Sequence, residues 1–484
     1  QRWVLFALAM AVIFASGVII SFLMEHSAEV VNVDYKKKIK INGIEARSII
    51  FAENYPREYK TWVDTTSTDL HSRLNGRTSI DVLAQRPEMV ILWAGYAFSK
   101  DYSTPRGHMY ALQDIVHSLR TGAPMGGADG PQFASCWVCK SSDVPRMIEA
   151  IGVDSFYNNK WAAWGAEIVN PIGCADCHEP KNMDLHISRP SLTEAFSRQG
   201  RDITHATPQE MRSLVCAQCH SEYYFKGNIK YPTFPWDKGF TVEDLEKYYD
   251  EIGFTDYIHK LSRAPILKAQ HPDYEIFKMG IHAQRGVSCA DCHMPYNDEG
   301  GIKYSDHHIQ NHLAVTERTC QTCHRDNKET LCKNVYERQQ KANELRTLLE
   351  KELAKAHIEA KFTWDIGATE NEMQEALLLI RQAQWRWDFG VSSHGGSFHA
   401  PQETMRILGH GLNKVFQARM LISKVLVAHG YTDNVPLPDI TTKEKAQQYI
   451  GLDMAVEKAD KDKFLKEIVP EWLQKAKANG RIVN

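Results

Sequence analysis

The chain has 484 residues, of which 43% are hydrophobic and 24% are charged. This composition is typical of a globular protein, and it excludes a disordered chain or a protein that crosses a membrane many times. With 57 basic and 60 acidic side chains, the net charge of −3 gives no general reason to bind nucleic acid or an anionic membrane surface.

The first feature along the chain is an uncharged stretch from Trp3 to Met24. As a helix it would be about 33 Å long, which is enough to cross the hydrocarbon core of a membrane. A cleaved export signal usually has a shorter apolar region and ends at a small-residue cleavage site, and no convincing site follows this stretch. We therefore favour a retained anchor in residues 1–25 over a cleaved signal, and in both cases we expect an exported protein.

Cysteines mark the middle of the chain. Ten of the 11 cysteines form C-x-x-C pairs, and the residue after each pair is lysine once and histidine four times. C-x-x-C-H is the attachment signature of c-type haem, because the two thiols bond to the two haem vinyl groups and the histidine then binds the iron. The motifs are Cys136, Cys139 and Lys140; Cys174, Cys177 and His178; Cys216, Cys219 and His220; Cys289, Cys292 and His293; and Cys320, Cys323 and His324.

Other interpretations of the cysteines explain the pattern less well. Structural zinc needs two pairs for each metal, and a thioredoxin-like site needs one pair in a βαβ unit. A disulfide framework would not require a histidine after each second cysteine. The pattern therefore predicts covalently bound haems, and the remaining cysteine, Cys332, is predicted to be a buried structural thiol.

Lys140 is the most informative departure from the haem signature. A lysine amine binds iron only when it is neutral, and iron can displace its proton because metal binding and deprotonation are coupled. Beside four C-x-x-C-H motifs, C-x-x-C-K predicts a fifth haem with a lysine as its proximal ligand. Relay haems keep two strong axial ligands, whereas a substrate-binding haem must leave its distal position open. We therefore expect this haem to bind the substrate.

The order of these motifs resembles that of the pentahaem cytochrome c nitrite reductases, periplasmic enzymes that reduce nitrite to ammonium with six electrons. The resemblance covers nearly the whole chain after the N-terminal segment. Octahaem relatives and the tetrahaem quinol-oxidising cytochromes fit less well in motif number or order. The supporting stretches are CWVCK (136–140), RGHMYALQDIVHSLRTGAP (106–124), CAQCHSEYYF (216–225), LKAQHPDYE (267–275) and HGGSFHAP (394–401).

The resemblance implies a mainly α fold with little sheet, a core packed with haems, and long C-terminal helices. It also implies that Lys140 holds the iron of the active-site haem from below. Three side chains would form the distal pocket of this haem, namely Arg120, Tyr223 and His271. A calcium ion would lie beside it, bound by the Glu222 carboxylate, the backbone carbonyls of Tyr223 and Lys268, and the Gln270 side chain. These are the hard oxygen donors that calcium prefers, although without the resemblance they equally fit ordinary loop residues.

Each of the four relay haems would need a distal histidine in addition to its proximal one. The family pattern pairs His308 with His178, His108 with His220, His399 with His293, and His282 with His324. His307 stands next to His308, so this is the assignment most easily misplaced by one residue. The sequence leaves the roles of His117, His186 and His394 open.

The distal residue types suit the reduction of a small anion. Arg120 offers a permanently charged fork of hydrogen-bond donors. His271 is expected to titrate near neutral pH and to relay protons. Tyr223 is expected to donate a hydrogen bond or a proton, with its ionisation eased by a nearby cation. Together they predict a positively biased pocket that attracts nitrite.

Helical periodicity dominates the sequence after Cys332. We predict that two apolar stripes belong to the core. They are Ala342, Leu345, Leu348, Leu349 and Leu353, and Leu408, Leu412, Val415 and Phe416. The chain is therefore divided into an anchor or signal (1–25), a pentahaem catalytic region (26–330) and a long-helix region (331–484). Because the family uses these helices partly for a homodimer interface, Ala383, Trp385 and Trp387 are candidate interface residues.

Three functions compete at this point. The first is an ammonia-forming nitrite reductase of anaerobic respiration and nitrogen metabolism that also accepts hydroxylamine. The second is a multihaem cytochrome that only transfers electrons, and the third is a relative specialised for hydroxylamine or sulfite. The resemblance implies an electron donor that is either a membrane tetrahaem quinol dehydrogenase or a soluble multihaem cytochrome.

Overall fold

The computed structural model describes residues 2–29, 37–70, 72–73 and 78–482. Within these ranges the protein is mainly α-helical and contains three two-stranded antiparallel sheets, as the predicted fold class requires. The helices before the second cysteine motif are α1 (Arg2–Glu29), α2 (Ser48–Phe51), α3 (Pro56–Val63), α4 (Val82–Gln85), α5 (Glu88–Leu92), α6 (Ala111–His117), α7 (Asp143–Ile151) and α8 (Val153–Tyr157).

Helix α1 is the apolar segment seen at the start of the sequence. Its window Arg2–Ile19 has a mean hydropathy of 2.1 and no part of it is buried. Among the described residues it is the one helix that is long and apolar enough to cross a membrane, as judged from length and composition alone.

Short helices and hairpins make up the region of the four C-x-x-C-H motifs. Regular elements stay short here because the chain turns repeatedly at the motifs. The helices are α9 (Cys174–Cys177), α10 (Pro190–Arg198), α11 (Pro208–Ala217), α12 (Val242–Glu251), α13 (Asp273–Met279), α14 (Ile281–Gln284) and α15 (Cys289–His293). The hairpins pair β1 (Tyr224–Lys226) with β2 (Tyr231–Thr233), β3 (Tyr257–Ile258) with β4 (Pro265–Ile266), and β5 (Tyr296–Glu299) with β6 (Ile302–Ser305).

The C-terminal part is built from long helices. They are α16 (Lys328–Asp365), α17 (Glu370–Ser392), α18 (Gly396–His399), α19 (Pro401–Ala428), α20 (Lys443–Tyr449) and α21 (Met454–Ala478). Helix α16 begins where the Asn327 side chain accepts a hydrogen bond from the Thr330 N–H at 2.9 Å. Helix α17 begins with a capping box between Thr369 and Glu372. The domain boundary expected at residue 330 stays a prediction.

The predicted core stripes are largely confirmed. Leu349, Leu353, Leu408 and Val415 are buried where α5, α16, α17 and α19 pack together, and Leu345 and Leu412 lie partly buried at the edge of the same cluster. Ala342 is also buried. The prediction is wrong for Leu348 and Phe416, which are 44% and 46% exposed. Each apolar stripe is wider than the helix face that packs against neighbouring helices. The residue at the edge of the stripe therefore remains exposed to solvent.

The candidate interface residues also need correction. Ala383, Trp385 and Trp387 are completely buried inside this single chain. Trp387 packs against Trp93 with ring centroids 5.5 Å apart, and Trp385 meets Tyr249 at 5.6 Å. These three side chains belong to the core and are not available to a second subunit.

Candidate functional site

One internal cavity of about 1620 Å³ connects four of the five cysteine motifs. Its volume exceeds the ~300–1,000 Å³ of a pocket for one small ligand, so it suits several large groups. The cysteines and ligand residues on its wall are Cys136, Cys139, Lys140, Cys174, Cys177, His178, Cys216, Cys219, His220, Cys289 and His293. The fifth motif lies at the surface, where Cys323 and His324 are exposed.

Each motif folds into a single tight turn that presents its ligand residue next to the thiols. The backbone N–H groups of His178, His220 and His324 donate to the carbonyl of the first cysteine of their own motif, at 2.8–2.9 Å. In the two C-A-D-C motifs the aspartate also caps the start of the turn, because Asp176 and Asp291 each accept a backbone N–H at 2.7 Å. The thiols and the ligand residue therefore lie within one turn, as haem attachment requires.

A buried arginine joins the first three motifs. Arg189 donates from Nε to the Val138 carbonyl at 3.0 Å and from Nη2 to the Ser141 carbonyl at 2.9 Å. Its guanidinium also forms an ion pair with Asp176 at 2.5 Å. Gln218 completes the junction, since its amide donates to the Asp176 carbonyl at 2.7 Å and accepts from the Arg189 N–H at 3.1 Å. The motifs are thus fixed relative to one another by hydrogen bonds among protein groups.

Each histidine of the four C-x-x-C-H motifs has a second imidazole ring at the spacing that a metal between them would need. Metal–imidazole bonds of about 2.0–2.1 Å put two rings on opposite sides of one metal with their centroids roughly 6 Å apart. The four pairs, with their centroid distances, are His108 and His220 at 6.2 Å, His178 and His307 at 6.1 Å, His282 and His324 at 6.2 Å, and His293 and His399 at 6.3 Å. The residues present therefore fit four haem irons with two histidine ligands each.

Several of these rings are held with Nε2 directed away from the backbone. The Nδ1 atoms of His178, His293 and His307 lie 2.7–2.9 Å from backbone carbonyls. Each Nδ1 must carry a proton in order to donate to its carbonyl, which leaves the Nε2 lone pair available to a metal.

The structure differs from the sequence prediction by one residue at the second motif. It places His307, and not His308, opposite His178. The two histidines follow β6 in an extended segment, where successive side chains point in opposite directions. His308 instead accepts a hydrogen bond from the Gln310 amide at 3.3 Å.

Arg120 lies on the cavity wall, where uncharged neighbours hold its guanidinium in position. Its backbone N–H and Nε both donate to the Ser118 hydroxyl, at 3.2 and 3.1 Å, and its guanidinium stacks on the Phe98 ring at 4.5 Å. No ion pair between Arg120 and a carboxylate occurs among the described residues. The side chain is therefore positioned while its charge remains available for an anion.

The sequence did not identify Lys461, a residue near the C-terminus that contacts the segment carrying Arg120. Lys461, in α21, is 3% exposed and donates to the Thr121 hydroxyl at 3.2 Å and to the Val116 carbonyl at 3.1 Å. Burial lowers the pKa of Lys461 to about 8. Nothing in the sequence distinguishes it from the other lysines of α21, so only the packing identifies it.

His271 and Tyr223 also lie on the cavity wall, but their protonation differs from the expectation. Burial, followed by the nearby Lys140, lowers the pKa of His271 well below its usual value. Burial raises the pKa of Tyr223 well above its usual value. Burial therefore favours the neutral form of both side chains near pH 7, and the Lys140 charge acts in the same direction on His271. His394, whose role was open, has its ring 6.0 Å from that of His271.

The residues predicted to hold calcium lie together. Glu222 accepts from the Gln270 N–H at 2.6 Å and from the Tyr249 hydroxyl at 2.9 Å, and the Gln270 amide lies 3.3 Å from the Lys268 carbonyl. Burial raises the pKa of Glu222 well above its usual value, and the carboxyls of Glu275 and Asp256 raise it further. A cation would relieve this penalty. Across the described residues, no cluster of three or more histidine, cysteine or acidic side chains is arranged to hold a metal ion, so this calcium site would depend on carbonyl and amide oxygens beside the single Glu222 carboxylate.

Comparisons with known proteins agree with this geometry. The model of the cytochrome c552 family matches residues 48–480. Proteins named cytochrome c-552 from Bacteroides fragilis and Porphyromonas gingivalis are 72% and 63% identical to this chain; the alignments span all of this chain and 98% and 97% of those proteins. A solved structure, the catalytic subunit of cytochrome c nitrite reductase from Desulfovibrio desulfuricans, superposes with a TM-score of 0.76 at 28% identity. The superposition covers 86% of this chain and 91% of that one, and that protein has two calcium sites.

The junction at Arg189 gives a first prediction. Replacing Arg189 with Met should lower the free energy of unfolding by about 3–5 kcal/mol, because it leaves the buried Asp176 charge without its partner. Chemical denaturation of the haem-loaded protein measures this loss. The matched control is Arg198→Met, which removes a half-exposed ion pair with Asp237 and should cost at most about 1 kcal/mol. Equal losses for the two variants would contradict a structural role for Arg189.

Proposed function

Since the chain belongs to the cytochrome c552 family, we propose that it is a nitrite reductase that converts nitrite to ammonium with six electrons. One observation carries this proposal. Each histidine of the four C-x-x-C-H motifs has a second imidazole 6.1–6.3 Å away. Around the C-x-x-C-K motif, by contrast, the charges of Lys140 and Arg120 both act on the Cys136 thiol, Lys140 acts on His271, and the Cys136 and Cys139 thiols act on Tyr223. Four sites thus have the residues of electron-relay haems, and one has the residues of a substrate pocket.

The protein carries five covalently bound c-type haems and calcium. When bound, the haem at Cys136 and Cys139 supplies the metal site for nitrite and the electrons that reduce it, with Lys140 as its proximal ligand. The relay haems would be held by the histidines of their own motifs together with His108, His307, His399 and His282, so His307 replaces His308 in our proposal. Calcium takes Glu222, the Tyr223 and Lys268 carbonyls and the Gln270 side chain.

The surrounding residues bind the anion and manage its protons. Arg120 presents a charged fork of donors to the nitrite oxygens without a competing carboxylate among the described residues. The neutral Tyr223 hydroxyl donates a hydrogen bond or a proton to those oxygens as they become basic. His271, also neutral, donates from one ring nitrogen and accepts at the other, which lets it pass protons without holding a charge that would compete with Arg120. The same pocket accepts hydroxylamine.

We further propose a cellular location, an electron donor and a subunit contact for the protein. It is a periplasmic protein held at the membrane by α1, and it receives electrons from a membrane tetrahaem quinol dehydrogenase or a soluble multihaem cytochrome. Residues 26–330 form the catalytic region, and residues 331–484 pack on it and form a homodimer. Exposed Phe416, Met420 and Val427 share one face of α19, which supports this face as the contact between subunits.

Electron counting tests the proposed reaction. With a reduced dye as donor, the purified protein should consume six electrons for each nitrite and release an equal amount of ammonium, while hydroxylamine should consume two. Dye oxidation is followed by absorbance, and ammonium is assayed separately. A protein that only transfers electrons would show no oxidation dependent on nitrite, and its paramagnetic resonance spectrum would lack a high-spin haem.

Replacing Arg120 with Ala tests the anion site. We expect the KM for nitrite to rise about 10- to 100-fold, because a hydrogen bond to a charged group contributes about 1.5–3 kcal/mol. Reduction of the haems by the dye should keep its wild-type rate. Arg198→Ala, at the surface, is the control and should leave both quantities unchanged. An unaltered KM in Arg120→Ala would exclude Arg120 from the nitrite site.

A pair of neighbouring variants tests the distal ligand of the second haem. His307→Ala should leave that iron with one strong ligand, so a new high-spin signal should appear in the paramagnetic resonance spectrum. His308→Ala is the matched control and should retain the wild-type spectrum. The opposite result would restore His308 as the ligand.

A further inference from the structure

One buried histidine has no part in the scheme described so far. His312 is 8% exposed and lies on the cavity wall in a short turn spanning His312–Val315. Neither of its ring nitrogens has a hydrogen-bond partner among the described residues. A buried polar group without a partner costs about 1–3 kcal/mol, so such a ring is expected to bond to something other than the polypeptide.

His312 lies between two of the proposed haem sites. Its ring centroid is 5.8 Å from that of His293, the ligand residue of the fourth motif, and 4.5 Å from Phe398. Phe398 in turn stacks on His282 at 5.6 Å, and His282 pairs with His324 of the fifth motif. The imidazole therefore lies between the ligand residues of the fourth and fifth motifs.

His312 is not placed as an axial ligand. An iron bound to His293 has one remaining axial position, and His399 stands at 6.3 Å, the spacing shared with the other three pairs. His312, at 5.8 Å from His293, is left without that position, because a second ring cannot bind the same iron on the side assigned to His399.

We propose that His312 donates an N–H hydrogen bond to a carboxylate of one of these two haems. The porphyrin edge is apolar except for its two propionate groups, and these are the only partners that a haem offers to an N–H. An imidazole carries at least one N–H in either charge state. The contact would offset the negative charge of the propionate and thereby make that haem easier to reduce. This inference goes beyond nitrite reduction, because it concerns how electrons are shared between the fourth and fifth haems.

Redox titration of the haem-loaded protein tests the proposal, followed by visible absorbance at controlled potential. In His312→Phe, which keeps a ring against Phe398, one midpoint potential should become more negative while the other four remain at their wild-type values. His312→Gln, which keeps an N–H donor, should remain near wild type. His205→Phe replaces an imidazole whose side chain is 88% exposed, and it should change nothing.

Three results would overturn the proposal. They are five unchanged potentials in His312→Phe, an equal shift in His312→Gln, and a new high-spin signal, which would make His312 an axial ligand. If Phe at this position blocks haem attachment, the smaller His312→Leu provides the same comparison. These readouts do not depend on nitrite turnover, so the proposal can fail while the proposed reaction stands.

Discussion

The buried contact between Arg189 and Asp176 fixes the first three cysteine motifs relative to one another. Arg189 bonds to the backbone around the first motif, its charge is balanced by an aspartate inside the second, and Gln218 of the third bonds to both residues. Such a pair adds little net stability over apolar packing, but breaking it is costly. Its contribution is therefore geometric. Electron transfer between haems requires fixed positions, and a chain of short turns and loops needs a directional bond of this kind to supply them.

Buried charged groups also determine the electrostatics around the proposed substrate pocket. Glu222, Asp256 and Glu275 bring carboxyls into the interior, and burial raises the pKa of Asp256 to about 7 and that of Glu275 to about 8. Lys268 is neutralised by Asp388 at 2.9 Å. Positive charge is thus compensated around the calcium residues, whereas Arg120 has no carboxylate partner among the described residues. In the proposed site, this arrangement would direct the anion to the guanidinium rather than to the pocket as a whole.

Those parts of the site that depend on a short stretch of sequence were predictable. The motifs and most residues of the helical stripes follow from spacing alone, although Leu348 and Phe416 do not. The exact residues that make contacts between distant segments were not predictable. His307 replaced His308 because side-chain direction in an extended segment alternates with every residue. Trp385 and Trp387 were candidate interface residues because the family uses these helices partly for a homodimer, yet tertiary packing buries both. In the sequence Lys461 does not differ from the other lysines of its helix, and only the structure shows its contact with Thr121.

The position of Lys461 near the end of the chain has a consequence for biosynthesis. The segment that carries the anion-binding arginine receives a supporting contact from a helix translated almost last. A truncated polypeptide could still contain every haem-attachment motif, bind all its haems and show the normal absorbance spectrum. It would nevertheless lack the contact that supports the segment carrying Arg120. Haem content would then be a poor guide to the fraction of competent molecules, and intact C-termini a better one.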